Sequence, residues 1–448
     1  MGRRRALSDE LEKYGYVFSL KKSLFSYLLT FSGLFLLGRF FGLHAIGQIL
    51  LFGAGVFLLP LFIRNTWKNR YYQRKFSDLN IYMEQFLYSF RKTGKVLTTL
   101  EDVLDLFEKG NMKATILAAI DHIQNTYNEV DFEEKALRMI EKEYPYEGLR
   151  TMHRFAIRTE SVGGQYQESI QLLLDARRMW ADRVYELMQA KRKKRQEVIL
   201  SILTSLLLCS MIYYMAGRMG LDVADNLLAQ AVTVMVLFLD LLIYYKTDQK
   251  LTAGYLARED GKEKETLQQY LRMRKYGHGP LSRLGQKAAK KNVTREIEKK
   301  FPEWLMEISL LLQTENVQVA IFRSYETAPL ILQPALLQMI GKLKANPNDR
   351  SAYTDFLSEF TLPEVRSSMK MLYSISEGSG GDARLQIADI IRRNQKLLDK
   401  AEKMKDEDTL AGMYALFLAP QLTGGMKLMV DMILLFAVYL GNMAASGT

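Results

Sequence analysis

The residues of this chain that could do chemistry are few, and they are badly placed for it. A Walker A loop needs a Gly five residues ahead of Gly-Lys-Ser/Thr, so that backbone N–H groups wrap a phosphate. Thr93-Gly94-Lys95-Val96 has Ser89 in the upstream place and Val96 where the hydroxyl should stand. His44, His122, His153 and His278 are scattered, and none has an acidic residue or a second His at helical metal-ligand spacing. No Gly-x-Ser-x-Gly elbow occurs, and the acidic pairs fall on what read as solvated helix faces. The single cysteine, Cys209, excludes an intrachain disulfide and a Cys-based zinc cluster, and its apolar surroundings suit a packed thiol. The chain therefore reads as a non-enzyme without metal or cofactor. The exceptional groups are ionisable residues inside apolar runs, each costly in hydrocarbon unless paired, hydrated or near an edge. Asp240 lies within Leu237-Phe238-Leu239-Asp240-Leu241-Leu242, and Lys427 and Asp431 stand four apart, where they can satisfy each other. They either hold spans together or sit at an interface.

The elements that must carry these residues are helices and membrane spans. At 448 residues the chain has room for two or three domains, and nine Pro against 22 Met, 24 Tyr and 22 Phe favour an all-α architecture. A crossing needs about 20 mostly apolar residues. Five stretches approach that length, so about five transmembrane helices are expected. The first two, 24–39 and 43–63, form a hairpin about Phe40-Phe41-Gly42, and 198–216 with 227–245 form a second. The last is irregular: 409–419 is apolar but short, Pro420, Gly424 and Gly425 interrupt it, and 426–443 completes a span after a kinked or interfacial helix. No small-residue cleavage site follows the first stretch, which predicts an anchor that stays attached.

A net charge of +11 could mean nucleic acid, an anionic membrane surface or a topology signal, and position favours the last. Arg3, Arg4, Arg5, Lys13, Lys21 and Lys22 precede the first span, Lys191-Arg192-Lys193-Lys194-Arg195 precedes the third, and Lys246 and Lys250 follow the fourth. The loops opposite offer only Arg39 and Arg218, and the C-terminal tail offers no basic residue. This predicts a multi-pass protein of the cell membrane with its N-terminus cytosolic and its C-terminus outside, touching lipid headgroups rather than nucleic acid.

Both large polar segments then lie in the cytosol. The resulting division is an N-terminus and hairpin over 1–63, a helical module over 64–197, a hairpin over 198–245, a basic linker over 246–300, a second module over 301–408 and the last span over 409–448. In the first module Leu79, Tyr82, Met83, Phe86, Leu87 and Phe90 make the apolar stripe of an amphipathic helix that Gly94 ends. Helices are expected after Thr99, over 116–123, from Asp131 with Glu134 as a capping box, over 149–160, and from about Gln167 straight into the third span: six in all. The second module repeats the plan. Pro302 suits a first helical turn, Thr314-Glu315 stands where Thr93-Gly94 stood, and Glu160-Ser161-Val162-Gly163-Gly164 matches Glu377-Gly378-Ser379-Gly380-Gly381. Thr93 to Glu160 is 67 residues and Thr314 to Glu377 is 63, which favours a repeat. The glycines suit a tight reversal between helices, and Glu160 and Glu377 either cap or pair within the module or contact a partner.

Two such modules, each with a Glu-x-x-Gly-Gly turn and each feeding a span, resemble the type II secretion system F domain of inner-membrane platform proteins. The likeness covers 79–200, with its L-L-L-D-A-R-R helix, and 302–408. The N-terminal hairpin is similar to TadB, and the P-E-W-L-M-E-I-S-L-L-L-Q helix to its partner TadC; Glu315 departs from the pattern by replacing a Gly. The resemblance implies a platform of a Tad or type IV pilus or of a type II secretion machine. Its implied partners are a cytosolic hexameric secretion ATPase, prepilin or pilin subunits and membrane lipids, in a homo-oligomer or a hetero-oligomer with another platform subunit. It also implies that Asp240 could receive a prepilin's charged N-terminus. The competing expectation is a transporter or channel with helical regulatory domains, in which intramembrane charges mark the permeation route.

Overall fold

The computed structural model describes residues 20–126, 131–163, 166–218, 223, 225–252, 260–276, 280–378, 389–390, 392–394, 396–401, 403–404, 407 and 413–446. Every regular element among them is an α-helix. In order they are α1 (Leu20–Phe40), α2 (Ala45–Thr93), α3 (Val96–Leu104), α4 (Asn111–Asn125), α5 (Phe132–Glu143), α6 (Glu147–Val162), α7 (Gln167–Arg218) and α8 (Leu227–Leu251). There follow α9 (Asp260–Tyr276), α10 (Pro280–Leu311), α11 (Val317–Ser324), α12 (Gln333–Ala345), α13 (Arg350–Thr354), α14 (Pro363–Ser376) and α15 (Tyr414–Ser446). The chain forms two compact units. An apolar unit comprises Met1–Lys75, Tyr185–Tyr255 and Asp408–Thr448, and a polar unit comprises Phe76–Val184 and Leu256–Glu407.

In the polar unit the expected stripe of α2 is the core: Leu79, Tyr82, Met83, Phe86, Leu87 and Phe90 are all buried. Tyr82 and Phe86 meet His153 of α6 and Phe90 meets Phe155, beside the buried Leu149, Met152 and Ala156, while Ile116 and Ile120 of α4 and Leu137 and Ile140 of α5 are buried on the same side of their helices. The capping box at α5 does not form. Asp131 is left-handed (φ 62°) and makes no side-chain cap, because a cap oxygen reaches the helix-start N–H from extended backbone. Within the expected basic linker over 246–300, the chain is helical over α9 and the first part of α10. Ala289, Val293, Ile297, Phe301, Trp304, Leu305 and Ile308 continue one buried stripe along α10, and α9 packs on that helix. Pro302 is therefore inside a helix, where it forfeits one backbone bond, and not in a first turn. Trp304 anchors this half: its Nε1 donates to Ser324 Oγ (2.9 Å), and its ring stacks on Phe356 with centroids 5.6 Å apart.

In the apolar unit four helices are long and apolar enough to cross a membrane: α2, α7, α8 and α15. The fifth expected span, in α1, has a shorter apolar stretch, Leu24–Phe40. Span and module helix are not separate at residue 63, since α2 runs unbroken from Ala45 to Thr93 with Pro60 inside it. The outer faces carry exposed Leu, Ile and Phe, as helices bathed in lipid do. Gln230 of α8 fastens the first hairpin: its Nε2 donates to Gly42 O (2.8 Å), and its Oε1 accepts from His44 N (3.0 Å).

The C-terminal segment corrects the expectation of a broken span. From Tyr414 to Ser446 it is one helix with Pro420 inside. Gly424 serves close approach instead: a Cβ there would overlap Ser205 Oγ of α7. Ser201 Oγ donates to Phe417 O (2.8 Å) and Cys209 Sγ to Gly424 O (3.5 Å), so Ser201, Ser205 and Cys209, four residues apart, line the seam against α15. Gly424→Val should lower the melting temperature of the detergent-solubilised protein by the equivalent of about 1–3 kcal/mol, the cost of overpacking a close seam. Gly425→Ala, with nothing within 4 Å of the added Cβ, should leave it unchanged.

Candidate functional site

The residues expected to be functional fall at three places. The first is the turn between α2 and α3. Gly94 takes φ +63°, and a Cβ there would lie 2.9 Å from Tyr166 Oη. The start of α3 has Lys95 at its cap position, without a side-chain cap of its own. Glu160, from the last turn of α6, supplies the missing acceptor: its Oε2 accepts from Val96 N (2.7 Å), and its Oε1 pairs with Lys95 Nζ (3.1 Å). Placing a carboxylate on a helix N-terminus satisfies an orphan N–H and the helix dipole together. Gly163 then ends α6 at φ 72°.

The matching glutamate does different work. Glu377 lies just past α14 as its C-cap and accepts a short hydrogen bond from Tyr373 Oη. Among the described residues there, the positive-φ glycine is Gly378, directly after it. At α11 the capping task falls to Asn316, whose Oδ1 accepts from Val319 N (2.9 Å), so no remote glutamate is required there. Glu315 has no positive φ and tolerates a side chain, which pairs with Arg158 and Arg323. Gly164, Gly380 and Gly381 lie outside the described residues.

The second place lies within the polar unit, where its two segments meet. On α6 Arg150, Arg154 and Arg158 recur every four residues along one face. Arg154 pairs with Glu307 of α10 (2.7 Å), Arg158 with Glu315, and Arg150 with Glu147 (3.4 Å) on its own helix. A cavity of about 370 Å³ opens beside this row, edged by Glu147, Glu263, Arg154, Lys300, Glu303 and Glu307. Burial by itself would lower the Lys300 ammonium, but Glu303, Glu263 and Glu147 around it hold it above its ordinary value. Farther along, Arg183 of α7 pairs with Asp399. Sequence reasoning missed this row, although its four-residue repeat was visible, because the acidic partners come more than 150 residues later. It also missed a buried relay, Tyr82 Oη to His153 Nε2 (3.0 Å) and His153 Nδ1 to Glu141 Oε1 (3.0 Å), which joins α2, α6 and α5.

The third place is the apolar unit. Lys427 and Asp431 are both buried and pair across one turn of α15 at 2.5 Å. Asp240 of α8 is 4% exposed, and its Oδ1 accepts from Thr423 Oγ1 at 3.4 Å. All three are therefore buried within this unit.

No family model matches the chain, and no curated protein or solved structure is similar to it.

Three outcomes are expected from these arrangements. Glu160→Ala strands Val96 N–H and should cost about 1–2 kcal/mol, read as a lower melting temperature, whereas Glu377→Ala should change stability by under ~0.5 kcal/mol. In a double-mutant cycle, Arg154→Glu and Glu307→Arg should each destabilise, and together they should recover a coupling of about 1 kcal/mol. Burial, and then the nearby Glu160, push the Glu133 carboxyl up, with Lys95 opposing them. Its contribution to stability is therefore full below the ordinary Glu range and is lost as pH rises through the raised value. Glu133→Gln should melt higher than wild type at pH 7, and the gap should close as pH falls below about 4.

Proposed function

We propose that this chain is the platform protein of a filament-assembly or secretion machine of the type II secretion F-domain kind. In this reading it couples a cytosolic ATPase to the movement of pilin-like subunits out of the bilayer. The observation that carries the reading is that α2 and α7 are single helices of 49 and 52 residues, each holding an apolar span and an amphipathic stretch. A helix without a break passes force along its axis better than a span joined by a loop, and a coupler needs that property and no active site. A duplicated module fits the same picture. The helices α3, α4 and α6, with 9, 15 and 16 residues, are followed in the second half by α11, α12 and α14, with 8, 13 and 14. The positive-inside pattern supports cytosolic placement of both halves.

A transporter is the second reading, favoured by the burial of Asp240, Lys427 and Asp431 within the apolar unit. The two readings separate in one experiment. A photo-crosslinker at Val162, exposed beside Glu160, should trap a hexameric ATPase encoded near this gene. If it traps none, and the purified protein in liposomes passes solute, the platform reading is wrong.

A further inference from the structure

The apolar unit holds one carboxylate whose bonding is incomplete. Asp240 Oδ1 has Thr423, but Oδ2 is buried and has no hydrogen-bond partner. Among the described residues no cation is paired with it: Lys427 is taken by Asp431, and Arg195, toward the other end of α8, by Asp248 (2.6 Å). Asp240 borders a cavity of about 210 Å³ whose other walls, apart from the Tyr244 phenol, are hydrocarbon, from Leu34 of α1, Leu51 of α2, Leu203 and Leu206 of α7 and Leu237 of α8. A helix is about 10–12 Å across with its side chains, so a space of this size admits a side chain and not a backbone.

We propose that this cavity receives a lysine side chain from a membrane-embedded helix of a partner. The stem of four methylenes lies along the leucine walls and the ammonium reaches Asp240. Lys suits the place because its charge is compact and its stem is apolar, as in side chains that thread apolar surface to reach a polar site. A guanidinium would bring five donors in a rigid fork to a site with one free oxygen. An unpaired carboxylate in hydrocarbon is costly, and so is an unpaired ammonium, so their meeting relieves both and selects a partner helix that carries one. This inference does not rest on the platform reading. It would hold for any partner span that carries the lysine, and its failure would leave that reading standing.

The test uses the full chain in phosphatidylcholine vesicles and a fluorescent Leu/Ala transmembrane peptide with one central Lys, with energy transfer reporting association. The Lys peptide should bind wild type at least about tenfold more tightly than the same peptide with Leu in place of Lys, and Asp240→Asn should abolish the preference. Leu203→Phe, at a position half exposed, fills the cavity with Asp240 intact and should also remove it, which keeps the test valid if the Asn variant misfolds. Equal binding of both peptides to wild type overturns the proposal. So does competition by octylammonium in the absence of any Lys-peptide preference, which would make the site one for small free amines.

Discussion

The arginine row on α6 sets the register in which the two segments of the polar unit meet. Its two segments, Phe76–Val184 and Leu256–Glu407, are separated in sequence by a stretch that belongs to the other unit, so no short loop holds them together. Arg154 with Glu307 and Arg158 with Glu315 supply the register, and Arg183 with Asp399 adds a contact from α7. These side chains are about one-sixth to one-third exposed, so water screens them only partly. Arg154 can face Glu307 on α10, and Arg158 Glu315 just past its end, only when α6 and that segment lie at one relative height, so the two pairs specify a docking as much as they strengthen it.

The same α6 carries the unit's local order. Glu160, at the end of the arginine helix, holds the start of α3 through Val96 N–H, and His153, midway along, reaches Tyr82 of α2 and Glu141 of α5. One helix thus fixes three neighbours by polar contacts while its apolar side, Leu149, Met152 and Ala156, closes the core.

What could be read in the sequence was what depends on local period. The stripe from Leu79 to Phe90 and the apolar spans needed only their own spacing. What could not be read depended on which of two roles a residue plays. Pro302 and Pro420 look like breaks but sit within helices, because the buried stripe of α10 and the small-residue seam of α15 outweigh one lost backbone bond apiece. Asp131 has the chemistry of a cap without the backbone for it. Glu160 and Glu377 look equivalent in spacing, yet Asn316 already caps α11 and leaves Glu377 to Tyr373. Asp240 was recognisable as out of place, but its cavity is built by helices from four parts of the chain.

The seam of Ser201, Ser205 and Cys209 against Gly424 has a mechanical corollary. Its small residues recur at each turn, a rise of about 6 Å, with bulkier side chains on the faces between them. An axial shift of α15 by a fraction of that distance would press Gly424 against the bulkier side chains and break the bonds of Phe417 O and Thr423 Oγ1. A surface of this shape opposes axial slip of α15, because Gly424 can leave its notch only by meeting a bulkier side chain.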